Sequence, residues 1–125
     1  VTTFYTLDRA NHRLPDLDGM LTLLGTQRDE LRELKTTFET TDEDDDRRRL
    51  RLRMQGLVDQ MQATVARIDG WGITLRDIDT GLVDFPALVN GRQIWLCWRL
   101  GEGSVEWWHE LEAGVAGRRP LIELE

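Results

Sequence analysis

Apolar positions fall into two regimes along the chain. In the first half they recur at steps of three, four or seven: Leu14, Leu17, Leu21, Leu24, Leu31, Leu34 and Phe38, then Leu50, Met54, Leu57, Met61, Val65 and Ile68. Each set is one apolar stripe on a helix. The short polar connection "TTDEDDD" predicts that the two helices fold back as an antiparallel hairpin, with its acidic residues at the positive end of the second helix dipole. Thr6 is a capping residue ahead of "LDRANHRL", and Pro15 either kinks the first helix or restarts it. Arg28 and Lys35 stand where a coiled-coil seam wants apolar residues. They weaken it, or they set its register by pairing with acidic side chains.

Past "DGWG", whose glycines end the second helix, the period drops to two. "ITLRDI" reads as a short strand, and "TGLVDFPAL", "RQIWLCWRL" and "SVEWWHEL" as three longer ones. Asn90-Gly91 is a two-residue hairpin signal that sets Val83 opposite Trp98, Phe85 opposite Leu96 and Ala87 opposite Ile94. Taking Glu102-Gly103 as the next turn sets Trp98 opposite Trp107, Leu96 opposite His109 and Ile94 opposite Leu111. One face is then apolar apart from His109. The fold class expected is α+β, a long antiparallel helical hairpin (about 7–69) followed by a small antiparallel β-meander and C-terminal loop (about 72–125), one domain over residues 1–125.

The opposite face of that sheet is mixed. It carries Leu82, Asp84, Pro86, Trp95, Cys97, Arg99, Glu106, Trp108 and Glu110, with Arg99 and Glu106 expected as a cross-strand ion pair. Pro86 has no N–H to give a ladder, so its strand is an edge, or pairs only on its other side beyond that point. An apolar patch rimmed by polar groups marks a partner or ligand surface. Asp84, Trp95, Cys97, Arg99, Trp108, Glu110, Arg118 and Arg119 are the expected ligand or partner face.

Charge narrows the partners. The formal net charge is −7, a field that repels phosphate, so neither nucleic acid nor an anionic membrane is expected. No apolar run approaches the roughly 20 residues of a membrane span, no signal-peptide pattern opens the chain, and its one cysteine allows no internal disulfide. A cytoplasmic location is expected. The block "DEDDDRRRLRLR" reads as a solvated hairpin tip, with pairs such as Asp44–Arg48 and Asp45–Arg49, ahead of an anion-binding tip.

Candidate chemistry is sparse. His109 and Glu112 are the metal-ligand candidates, with Cys97, Asp84, Asp77 or Asp79 nearby, but their spacing matches no conventional motif, and no cofactor is expected beyond a possible divalent metal. A Cys97–His109 nucleophile pair is disfavoured, because the register places the two side chains on opposite faces and Asp84 beside Cys97 raises the thiol. Arg118 and Arg119 in "GVAGRRP" present forks for a phosphate or carboxylate, or pair with Glu110, Glu112 or the helices.

The segments "FYTLDRANHRLP", "GLVDFPALVNGRQIWLCWRLGE" and "WWHELEAGVAGRRPL", flanking a charged two-helix middle, resemble a bacterial and archaeal family known as domain of unknown function 2203. The likeness spans nearly the whole chain and is specific in its last 45 residues. It implies one intact unit and carries no assigned catalytic residues. The function expected is therefore a non-enzymatic protein-interaction or self-association module, a homo-oligomer with a dimer favoured. The alternative is a small-ligand- or metal-binding protein, or an enzyme, using the mixed face.

Overall fold

A computed structural model describes residues 3–124, which leaves Val1, Thr2 and Glu125 of the expected span outside the description. Two long helices lead into a five-stranded antiparallel sheet, an α+β fold with a helical hairpin and a β-meander. Helix α1 spans Leu7–Glu39 and runs through Pro15 without a break, which excludes a restart there. Thr6 caps it, its hydroxyl accepting from the Arg9 N–H at 3.2 Å. Helix α2 spans Asp44–Gly70, and the Glu43 carboxylate accepts from the N–H groups of Asp45 and Asp46. Those donors hold the Glu43 carboxyl below its ordinary range.

At the hairpin tip Arg47 stacks on Phe38 and donates to the Phe38 and Thr41 carbonyls, closing the end of α1. The ion pair formed there is Asp46–Arg49, three residues apart, rather than Asp44–Arg48 or Asp45–Arg49. Asp44 and Asp45 remain in the first turn, near the helix's free N–H groups. Arg28 leaves the seam to bind Asp79 at 2.9 Å in the sheet connection, the pairing role open to it from the sequence.

The strands are β1 (Thr74–Asp77), β2 (Leu82–Val89), β3 (Arg92–Arg99), β4 (Trp107–His109) and β5 (Arg119–Pro120), neighbours in chain order. Asn90 (φ 52°) and Gly91 (φ 76°) make the expected turn, and β2 pairs with β3 in the expected register throughout. Beyond Asp84 the β1 side of β2 is free of β1. There Pro86 needs no N–H, and its carbonyl accepts from the Tyr5 N–H at 2.7 Å. Tyr5 also sets its ring edge-on to Phe85 and donates its hydroxyl to the Trp71 carbonyl.

The β3–β4 register differs from expectation by one residue: Leu96 faces Trp108, Trp95 faces His109 and Cys97 faces Trp107. The cause is the turn. Arg99 accepts from the Glu102 N–H at 3.0 Å, which puts Leu100-Gly101 at the corner with Gly101 at φ 98°, and residues 103–106 then run irregularly before pairing begins. A slip of one exchanges the two sides of β4, so Trp108 joins the core while Trp107 and His109 join Asp84 and Cys97. The same slip abolishes the Arg99–Glu106 pair, and Leu111, expected in the core, lies past the end of β4 and is exposed. Strand β5, which the sequence pattern did not signal, adds to β4 after a 3₁₀ turn at Val115–Gly117.

The core lies between the sheet and the inner half of the hairpin. Ala10, Leu17, Leu21 and Leu24 of α1 and Ile68 of α2 cluster with Val83, Phe85, Ile94, Leu96, Trp98, Val105 and Trp108. The helices thus pack on their own sheet. Among the described residues no helix is long and apolar enough to cross a membrane.

Gly81 takes φ 67°, and a Cβ there would lie 2.6 Å from the Leu100 Cβ. Gly81→Ala should therefore cost about 1–3 kcal/mol. Gly19→Ala, on an open helix face with nothing within 4 Å, should gain about 0.5–1 kcal/mol. Thermal melts of the two variants against the parent check both signs.

Candidate functional site

The second face of the sheet is roofed by the C-terminal segment, so that most of its polar groups are interior. Asp84 and His109 are each 2% exposed and Cys97 is 0% exposed. Strand β2 supplies Asp84, β3 supplies Cys97 directly across from it, and β4 supplies His109 across from Trp95. The chain then folds back so that Leu111, Glu112, Gly114 and Val115 wall a cavity of about 440 Å³ over Asp84 and His109, with Arg76, Asp77 and Leu82 opposite.

Every oxygen of Asp84 is engaged. Oδ1 lies 3.0 Å from His109 Nε2, and Oδ2 accepts from Arg76 Nε at 2.8 Å. His109 Nδ1 sits 2.7 Å from the Glu110 carbonyl, which can only accept, so Nδ1 carries a proton and donates. The side-chain ligand atoms of Asp84, Cys97 and His109 all lie within 4.8 Å of one another. This triad could hold a metal ion. The sequence named Asp84 and Cys97 beside His109 and Glu112; of these, Glu112 is an exposed wall residue of the cavity.

The same geometry argues against a cysteine nucleophile. The nitrogens of His109 face the Glu110 carbonyl and Asp84 rather than the thiol, and burial followed by the charge of Asp84 pushes the Cys97 thiol up to about 11. Arg118 tempers this from 3.9 Å without reversing it.

The remaining expected residues divide. Trp95 stays on this face, half-buried, with Arg76 stacked over its ring at 5.0 Å. Arg118 grips Glu102 with both terminal nitrogens, at 3.2 and 2.5 Å, and lies over Trp107. That fork is therefore occupied by a carboxylate of the chain itself rather than by Glu110 or Glu112. The Arg99 N–H donates to the same Glu102 carboxylate, and Glu110 pairs with Arg92. Arg119 is exposed on β5 near Trp108, and Trp108 belongs to the opposite, core side. Arg76, Trp107 and Glu102 are site residues that the sequence pattern did not single out.

A second feature lies on the far side of the hairpin. Leu31, Val58, Met61, Val65, Ile73, Leu75 and Ile78 line an open groove of about 520 Å³ between the helices and the free edge of β1. Only Gln62, Asp69 and Thr74 bring polar atoms to it.

These elements define an α+β protein with a projecting helical hairpin, a sheet whose polar face is sealed by its own C-terminal segment, and a buried aspartate–cysteine–histidine cluster. The chain belongs to the family of uncharacterized conserved proteins designated DUF2203, whose model matches residues 3–121. No curated protein and no solved structure matches it.

Burial raises the Glu102 carboxyl, but Arg118 and the Arg99 N–H outweigh it and hold the group below its ordinary value of 4.5. A depressed folded value means that stability from this pair is complete above that ordinary value and is lost as pH falls through the folded one. Glu102→Gln should melt below the parent near neutrality by about 1–3 kcal/mol, and the two should converge in acid once pH has fallen through the lowered folded value. Thermal melts across that range test the sign. Cys97 should resist iodoacetamide near pH 8, where a thiol near 11 is roughly one part in a thousand thiolate. It should be alkylated once the chain is unfolded in denaturant, as a mass shift reports.

Proposed function

We propose that this protein is a non-enzymatic self-association module of the cytoplasm, in which the hairpin and groove of one copy dock on those of a second. The observation that carries this reading is the poor burial of α2. Of its 27 residues only Leu57 and Ile68 are buried, while Leu50, Met54, Met61 and Val65 of its stripe stay half-open and Leu52 is 64% exposed. The sheet covers only the inner half of the hairpin, and the outer half is two helices with no third layer.

Size agrees with a second copy as the occupant. The outer half of a two-helix face about 40 Å long and about 20 Å wide offers about 400 Å², and the groove beside β1 extends it toward the roughly 800 Å² that one partner contributes to a standard interface. Docking two such faces gives the four-helix arrangement that buries leucine stripes. A two-fold dimer needs only one self-complementary surface, and the groove presents an apolar floor whose neighbouring charges, Arg28 and Arg32 with Asp79, are already paired within the chain and so add no unpaired charge of one sign to the contact.

Sedimentation equilibrium of the intact chain should return twice the 14.5 kDa chain mass. Val58→Glu and Met61→Glu should each weaken the dimer by about 30-fold or more with unchanged circular dichroism. Leu88→Glu, on an exposed residue at the far hairpin turn of the sheet, should leave association intact. A parent protein that is monomeric at high micromolar concentration would overturn the reading. The cavity above Asp84 and His109 favours a second reading, a protein that binds a small ligand or metal ion there.

A further inference from the structure

We infer that Asp84, Cys97 and His109 form a site for one divalent transition-metal ion of the zinc class, bound through Oδ1, Sγ and Nε2. This rests on the second reading above and is independent of self-association. The argument begins at His109. With its Nδ1 N–H donated to the Glu110 carbonyl, the ring turns Nε2 toward Asp84 Oδ1, an acceptor, at 3.0 Å. In so buried a site either a proton or a metal ion is shared between those two atoms. A proton would serve those two atoms alone, whereas a metal ion also engages the sulfur that converges on the same point.

The surroundings match such a centre. Zinc–ligand bonds of 2.0–2.3 Å place neighbouring donors about 3.3–3.7 Å apart, and the three donor atoms here already lie within 4.8 Å. A ligating histidine ordinarily gives its other N–H to a carbonyl or carboxylate, which is what Glu110 O receives. Arg76 holds the second oxygen of Asp84, leaving Oδ1 as a single donor, and Arg118 lies 3.9 Å from the sulfur, where it would steady a thiolate. Charge closes as well, since one carboxylate, one thiolate and a neutral imidazole offset a dication. Thiolate, imidazole and carboxylate together suit zinc rather than magnesium or calcium. On binding, the Cys97 S–H proton passes to solvent as the sulfur–metal bond forms. Asp84 and His109 also line the cavity walled by Leu111, Glu112 and Val115, from which a water or a small ligand would reach a fourth position.

The test uses the full chain, stripped with chelator and titrated with Co²⁺ and then Zn²⁺. The expected result is one Co²⁺ per chain with tetrahedral visible bands and a sulfur-to-cobalt charge-transfer band, all bleached by Zn²⁺. Cys97→Ser, nearly isosteric, should lose the charge-transfer band and bind Zn²⁺ at least about 10–100-fold more weakly, the range that loss of even an outer partner produces. Untagged protein purified without chelator should retain zinc by elemental analysis, a readout that no variant's folding can confound. Absence of zinc from that sample together with no sulfur band in the titration overturns the site, as does cobalt binding that Cys97→Ser leaves unaltered. Sedimentation of the stripped chain separates this outcome from any failure of the dimer, because the spectra do not depend on subunit number.

Discussion

Everything chemical in this molecule hangs on the corner at Leu100-Gly101. Side chains alternate along a strand, so the point at which β4 begins to pair decides which of its residues meet the helices and which meet Asp84. Gly101, at φ 98°, lets the chain reverse directly after Arg99, and the Glu102 carboxylate then accepts the Arg99 N–H and the Arg118 fork. The corner is thereby anchored to the segment that roofs the sheet. Trp98 reinforces it through an indole N–H donated to the Gly103 carbonyl, and Asn11 of α1 accepts the Val105 N–H. The alignment has a cost, because Trp108 enters the core with its indole nitrogen lacking a hydrogen-bond partner. An orphaned donor costs about 1–3 kcal/mol, comparable to what burying the ring returns.

Periodicity made the helices, the first hairpin of the sheet and the β2–β3 register legible, because each depends on short-range signals: apolar spacing, Thr6, Asn90-Gly91 and the alternation of Val83, Phe85 and Ala87. The second turn was not legible in the same way. "GEG" offers two glycines, and the alternation of "SVEWWHEL" is ambiguous because two adjacent tryptophans satisfy either register equally well. What broke the tie were contacts distant in sequence, Glu102 with Arg118 and Asn11 with Val105. Strand β5 was hidden for a related reason: "GRRPL" is two residues of pairing with no alternation to detect. The members of the candidate site were mostly named from the sequence, but the juxtaposition of Cys97 and His109 was inverted by that single residue of slip.

The two faces of the molecule manage their apolar surface differently. On the sheet, a loop of the same chain covers Trp107, Leu82 and the polar cluster, and the arginines near it are spent on internal carboxylates or aromatic rings. Along the hairpin no such cover exists, and the groove beside β1 remains open. The negative overall charge works against a polyanionic partner on either face.

Tyr5 ties together three distant stretches: its own extended segment, the end of α2 at Trp71, and the middle of β2 at Pro86. Asn11 does likewise across 94 residues to Val105. These clasps cannot close while the chain is being made until their partners have been synthesised, whereas the hairpin needs only its own local contacts. At roughly 10 residues per second, Tyr5 waits about 8 seconds for Pro86 and Asn11 longer still. The leucine stripe that will later meet the sheet is thus exposed throughout that interval, so the first half of this chain spends its earliest moments as the sort of surface that chaperones hold.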